Sequence, residues 1–293
     1  MGASVLAASA MTFAVKGAAA EAPSAVIVCL RSLGGLLLCL AGIAVSRRLR
    51  AQVSFSAPWL HVWRGALVGV STQLGFYTIS TLPLAQATVL FFTAPVIAAL
   101  LAIPIQGERI GPRRSAAIAA GFLGVLIVTR PWDGLSAEGF GLPALAAIGS
   151  SALFALALLS ARGLASRDGA FSAYISSAVM TLVVTLPVAA PVWALPETHW
   201  GWISVLVVVV ASMARNVSDI EAYRLAEASI LAPLSYTRLA FIAFGAWLIF
   251  DETPDGATLV GGAVIIAAAL YIARRERAVA RAKAAQSTRA SLP

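Results

Sequence analysis

The 293-residue chain is 60% hydrophobic and only 12% charged, with a mean hydropathy of +0.88. Soluble domains carry about 25% charged residues, so a water-soluble fold is excluded at the outset. The formal net charge of +8 does not indicate nucleic acid either, because Lys and Arg gather at the ends of apolar runs, as membrane topology requires.

The apolar residues fall in blocks, in chain order 2–19, 24–46, 60–80, 85–105, 115–129, 142–164, 171–195, 202–223, 229–250 and 257–273. A block of about 20 apolar residues spans a hydrocarbon core of about 30 Å. Lipid cannot hydrogen-bond a backbone, and the blocks lack the period-2 alternation of a barrel strand, so they are predicted to be helices. The expected fold is an all-α polytopic membrane protein with ten transmembrane helices. The first block ends in small residues like a signal peptide, but it has no basic n-region and Lys16 interrupts it, so it is expected to remain as a span.

Cys29 and Cys39 share one block and make neither a disulfide framework nor a metal site. His61 and His199 lie at block edges and are read as interfacial residues. No phosphate-cradling loop, nucleophile elbow or zinc motif is present, so no enzyme, metal or cofactor is expected.

Arg47, Arg48 and Arg50 follow the second block; Arg109, Arg113 and Arg114 the fourth; Arg162 and Arg167 the sixth; and Arg224 the eighth. The tail carries Arg274, Arg275, Arg277, Arg281 and Lys283. The alternate connections hold Glu21, Asp133, Glu197, Asp251, Glu252 and Asp255, with Arg130 the main exception. The positive-inside rule then places both termini in the cytoplasm.

A division near Gly134 leaves five blocks on each side. An odd number per half means that any repeat must be inverted. The halves echo each other: Phe92-Thr93 precedes Gly107-Glu108-Arg109, and Tyr236-Thr237 precedes Asp251-Glu252-Thr253, each leading into a short last helix.

In these features the chain resembles the drug/metabolite transporter superfamily, in its EamA-type ten-helix branch. The resemblance rests on Arg31-Ser32, Trp63-Arg64-Gly65, Pro83-Leu84-Ala85-Gln86-Ala87-Thr88, Thr93-Ala94-Pro95, Gly121-Phe122-Leu123-Gly124-Val125 and Arg130-Pro131. In the second half it rests on Ala222-Tyr223-Arg224-Leu225-Ala226, Ala232-Pro233-Leu234-Ser235-Tyr236-Thr237 and Asp251-Glu252-Thr253-Pro254. Within the branch it is most similar to bacterial S-adenosylmethionine and riboflavin uptake proteins and to a group of organic-anion carriers.

The resemblance implies two inverted five-helix repeats around a central cavity, lined by spans 1, 3, 4, 6, 8 and 9. The expected units are residues 1–131, a linker at 132–138, residues 139–275, and a basic cytoplasmic tail at 276–293, either lying on anionic lipid or disordered. One departure is Leu239, preceded by Arg238, where the first half has Pro95.

Charged residues inside membrane helices cost at least about 2.5–3.5 kcal/mol each and normally face partners, water or a pathway. On the eighth block Ser212, Arg215, Asn216, Asp219 and Tyr223 recur at three- and four-residue steps and form one polar stripe. The ninth adds Ser235, Tyr236 and Arg238, the first Lys16, and the third Gln73 and Tyr77. Phe91 and Phe92 supply an apolar wall, and Phe154 a mixed one with Ser150 and Ser151. Arg215, Arg238 and Lys16 are expected to present positive charge to a carboxylate, which a planar guanidinium holds by two parallel bonds. The competing reading is an Arg215–Asp219 pair that neutralises itself. Arg31 is expected to be structural and Arg64 an interfacial anchor. Gly121, Gly124, Gly261 and Gly262 are expected to let helices approach closely.

The function expected is a secondary transporter of a small organic anion or zwitterion in the bacterial inner membrane, working by alternating access. The alternative is an exporter of amino acids or of cationic or amphipathic compounds; remoter ones are a structural protein or an intramembrane enzyme. The expected partners are the solute and membrane lipid, with a homodimer left open and no nucleic acid.

Overall fold

The computed structural model describes residues 2–51, 53–94, 96–98, 100–101, 112–130, 141–225 and 228–290; the side chains of 48, 112–114, 158–159, 161–166, 170, 217, 219–236, 273 and 275–290 lie outside that description. The described elements are all helical: α1 (Gly2–Ala18), α2 (Ser24–Val45), α3 (Arg47–Arg50), α4 (Pro58–Thr81), α5 (Leu84–Phe91), α6 (Pro112–Thr129), α7 (Leu142–Ala189), α8 (His199–Leu225), α9 (Ala228–Phe250) and α10 (Gly256–Ala290). Each apolar block but 85–105, part of which lies outside the described residues, coincides with one of these helices or with an arm of one.

Local chemistry sets the boundaries. Ser46 ends α2, and its hydroxyl accepts the Leu49 N–H at 3.4 Å to start α3. Pro58 stands in the first turn of α4, where its missing N–H costs nothing. α7 contains two spans joined at Gly169, whose φ of +77° reverses the chain, a conformation open to a residue without Cβ. α10 runs on through Ala290, well past the apolar block. The tail expected to lie on lipid or be disordered is thus a helical continuation, consistent with its run of Ala, Arg, Glu and Lys.

The fourth span is broken. α5 stops at Phe91, Phe92 and Thr93 form a turn, and helix resumes at Ala94. The Thr93 N–H reaches Leu90 O at a three-residue step (3.1 Å), and the same carbonyl accepts the hydroxyls of Thr93 (2.6 Å) and Ser151 (3.3 Å). Pro95, which lies outside the described residues, has no N–H to offer the preceding turn, so a break here follows from the sequence.

The outward faces are apolar. Leu206 is 61% and Leu248 66% exposed, and Leu37, Leu40, Val183 and Phe244 are likewise exposed. Hydroxyls of Ser9, Thr12, Ser71, Thr78, Ser177 and Thr181 are buried, and all of these but Ser71 bond a carbonyl one turn back on their own helix. Ser71 bonds across to Ser150. Such an inside-out distribution suits lipid as the surrounding solvent. Ser24–Val45 and residues 171–192 are each long and apolar enough to cross a bilayer on their own.

α1 packs on α8 and α9, α4 on α7, α2 on α7 and α8, and α6 on α10. Two crossings depend on missing side chains. A Cβ on Gly124 of α6 would lie 2.9 Å from Gly261 O, and a Cβ on Gly261 of α10 would lie 2.7 Å from Gly124 O. Gly69 brings α4 against the backbone of Thr181 in α7 in the same way.

Candidate functional site

Three arginines lie where the first five spans meet the last five. Arg238 of α9 reaches across to α1, its Nη2 donating to Thr12 Oγ1 at 2.9 Å. Thr12 is held by its own bond to Ala8 O, and one residue earlier Met11 Sδ accepts the Ser212 hydroxyl of α8 at 3.2 Å. Arg31 of α2 lies with its guanidinium carbon 5.6 Å from the centroid of the Phe76 ring of α4. Tyr174 of α7 and Arg215 of α8 are its electrostatic neighbours.

Arg215 and Arg238 are half-buried, while Asn216 and Thr237 beside them are exposed. Asn216 Nδ2 donates to Ser212 O at 2.7 Å, a bond back along its own helix. Gln73 and Tyr77 are half-buried on α4, and Gln73 Oε1 has no hydrogen-bond partner among the described residues. Phe91 is half-buried beside Gly75, Phe92 forms the turn in the broken span, and Phe154 is 40% exposed. The side chains of Asp219, Tyr223, Ser235 and Tyr236 lie outside the described residues.

Lys16 is not the leftover cation the sequence suggested. Its Nζ lies 3.1 Å from Glu252 Oε1 and donates to Leu82 O at 2.9 Å. Glu252 Oε2 in turn accepts the Leu84 N–H at 2.8 Å, which caps α5. The three groups tie α1, the α4–α5 turn and the α9–α10 turn together at one end of the bundle. Lys16 stands one turn beyond Thr12, so at this end it meets a carboxylate delivered by a sequence-distant connection.

Two more latches lie at that end. Glu21 accepts the Thr198 hydroxyl at 2.5 Å and its N–H at 3.1 Å, and these bonds hold its carboxyl below the usual range. Arg130, the exception to the charge rule, pairs with Asp255. Burial pushes the Asp255 carboxyl up, but the hydroxyl and N–H of Thr258, together with Arg130, hold it below its usual range.

The opposite end carries a polar network that sequence reasoning missed. His61 is buried, its Nε2 2.9 Å from Asp168 Oδ2 and its Nδ1 2.9 Å from Ser176 Oγ. Asp168 also accepts the Ser54 hydroxyl (2.8 Å) and the Ser56 N–H (3.0 Å). Burial raises the Asp168 carboxyl, but the bonds from Ser56, Ser54 and His61 outweigh it and hold the group far below the usual carboxylate range. The network fastens the start of α4 to the turn inside α7. His61, read from the sequence as interfacial, is thus a buried member of this network at one end of the bundle. Arg64, expected to be an anchor, bonds Ser177 Oγ (3.1 Å) and Ala173 O (3.5 Å) in the same helix pair.

An apolar cleft of about 180 Å³ lies beside the broken span, lined by Thr93, Val96, Ile97, Phe122 and Ile148 among others. None of the arginines lines it.

Residues 1–130 match the EamA-like transporter family. The match covers the first 130 of the 293 residues, and the chain is similar to that family over this segment. It is 29% identical over 224 residues to the S-adenosylmethionine uptake transporter of Rickettsia felis, covering 76% of this chain and 74% of that one. Identity to the pseudopaline exporter of Pseudomonas aeruginosa is also 29%, over 274 residues and 92% and 93% of the two chains. The riboflavin transporter of Vibrio cholerae is 26% identical over 228 residues, 75% of each. A solved crystal structure shares the fold with a TM-score of 0.59 at 20% identity, over 92% of this chain and 93% of that one. These names are those of transporters rather than enzymes.

Proposed function

We propose that this transporter is a secondary carrier of a small organic anion or zwitterion, working by alternating access in a bacterial inner membrane with both termini cytoplasmic. The carrying units are residues 1–131 and 139–275, two five-helix halves of opposite orientation that rock about the seam between them. The observation that carries the reading is the position of the cations: Arg238 bonds Thr12 across the seam, and Arg31 has Arg215 as an electrostatic neighbour. A solute held there touches both halves, so its binding free energy can differ between two arrangements of the halves, as a carrier needs.

The latch of Lys16, Glu252 and the α4–α5 turn supports an outer side that is shut, while the exposure of Asn216 and Thr237 supports access from the cytoplasm. The relatives include proteins named for uptake and for export, which fits an architecture whose net direction follows the gradients imposed on it.

The rival reading, export of amino acids or of cationic or amphipathic compounds, is favoured by the pseudopaline exporter among the relatives. Uptake into proteoliposomes separates the two, with labelled carboxylates and amino acids set against lipophilic cations. Carboxylate uptake abolished by Arg238→Ala and Arg215→Ala supports the proposal. Movement of cations alone, or uptake indifferent to both substitutions, overturns it.

A further inference from the structure

The break in the fourth span leaves a space that the protein does not fill. α5 stops at Phe91, the chain turns at Phe92 and Thr93, and the helix that resumes at Ala94 meets α6 at a close crossing. There Gly121 of α6 has no side chain, and a Cβ on it would lie 2.8 Å from Val96 Cγ1. The cleft of about 180 Å³ opens beside that crossing, with Ile148 of α7 as its third wall.

Three features of the cleft select its occupant. The first is its direction. Phe122 and Leu126, one turn apart on the rim, are 41% and 43% exposed, and Leu145, one turn before Ile148 on α7, is exposed as well. Around a polytopic membrane chain, that outward side is lipid. The second is the chemistry of the walls. Thr93 supplies the one hydroxyl among the described lining residues, and it is already donated to Leu90 O at 2.6 Å. A buried water needs about two to four polar partners, so water has no place here. The third is depth. Gly121 stands nine residues into α6 (Pro112–Thr129), about 14 Å along an axis that crosses a core of about 30 Å. Phospholipid chains, and not their headgroups, end at that level. An apolar cavity of about 150 Å³ takes up a six-carbon ring, so this cleft has room for about six chain carbons. Left empty, its walls would forfeit the dispersion contacts that a chain restores.

We propose that this cleft seats the end of a phospholipid acyl chain, which completes the packing that the break in the fourth span leaves open. The ligand is the chain and not the headgroup, since no charged side chain lines the cleft among the described residues. The seat is independent of what the carrier moves. Its consequence is mechanical: the chain lies between α6 and the arm that resumes at Ala94, and it supports the break from the lipid side.

The test uses the full-length protein in liposomes doped with phosphatidylcholine that carries a photoactivatable diazirine near the end of one acyl chain. After irradiation the labelled peptides are mapped by mass spectrometry. Label on the peptides carrying Ile97 and Phe122 is expected to exceed severalfold that at Leu206 and Leu248, which are 61% and 66% exposed on the lipid-facing surface. I148F, which puts a larger side chain into the cleft, should bring the yield down to that reference. I97F takes its place should I148F not fold, and the wild-type yield against the reference decides the matter without either. The same probe with a phosphatidylglycerol headgroup should label equally. A wild-type yield at the reference level, a yield unchanged by the filling variants, or one that follows the headgroup charge overturns the inference. A yield that falls as the protein is crowded in the bilayer gives the cleft to a second copy of the chain. One that falls when tetraphenylphosphonium or succinate is added gives it to a solute. Either result also overturns the acyl seat.

Discussion

Replacing Glu252 by Gln tests the proposed outer gate most sharply. Gln keeps an oxygen for the Leu84 N–H but removes the charge that faces Lys16 at 3.1 Å, with the two side chains 23% and 19% exposed. At an effective dielectric constant of about 20 the gross attraction is about 5 kcal/mol. Desolvation offsets part of it: exposed pairs contribute up to about 1 kcal/mol, and breaking buried ones costs about 3–5. A partly buried pair therefore favours the shut outer side by about 2 kcal/mol, or about thirtyfold in the ratio of shut to open. In a background with Cys29 and Cys39 replaced by Ala, Met11→Cys places a thiol on α1, one to two turns inward of Lys16. Its reaction with a membrane-impermeant thiol reagent added outside should be slow in the parent and up to about thirtyfold faster with Glu252→Gln. Lys16→Met should match it, and the double variant should add little to either. Labelling that stays slow in both variants, or that rises additively, would refute the gate.

The other predictions concern the fold around the seam. Asp168→Asn should lower Tm, since its carboxylate fastens α4 to the turn of α7. The folded carboxyl titrates below its unfolded value of about 4, so its stabilisation is complete above that pH and fades as the pH falls through the folded value. The Tm difference from wild type should therefore hold steady through the neutral range and shrink below about pH 4; a difference that instead grows on acidification contradicts the assignment. Gly124→Ala should cost about 1–3 kcal/mol by forcing α6 from α10, where the new Cβ would meet Gly261 O at 2.9 Å, and unchanged thermal unfolding would show that the crossing is looser than described.

The architecture was legible because lipid imposes it. Apolar blocks of spanning length have to become helices, and the basic connections orient them, so Ser24–Val45 could be read to within a residue or so. The polar interior was less legible, because a residue's partner there comes from a distant part of the chain. Lys16 looks like a stray cation until Glu252 is folded against it, 236 positions away. Arg130 breaks the charge rule only until Asp255 is seen beside it. Arg31 was expected to be structural because span 2 is less central in the family, and its guanidinium carbon lies 5.6 Å from the centroid of the Phe76 ring of α4. The His61–Asp168 network gave only a local hint, the turn-forming Asp168-Gly169 between two apolar blocks, and nothing in the sequence joined it to Ser54 and Ser56. The break at Phe92–Thr93 was written in Pro95, whereas the hydroxyls that satisfy Leu90 O come partly from α7.

The central claim is that arginines on the seam carry an anionic solute between two alternately open sides. Counterflow tests it directly: vesicles loaded with unlabelled carboxylate should take up the labelled compound above its equilibrium level for a time and then release it, and Arg238→Ala should lose the overshoot while staying folded. Uptake that rises steadily to equilibrium without overshoot, equal in the wild type and in Arg238→Ala, would contradict both the alternating mechanism and the site.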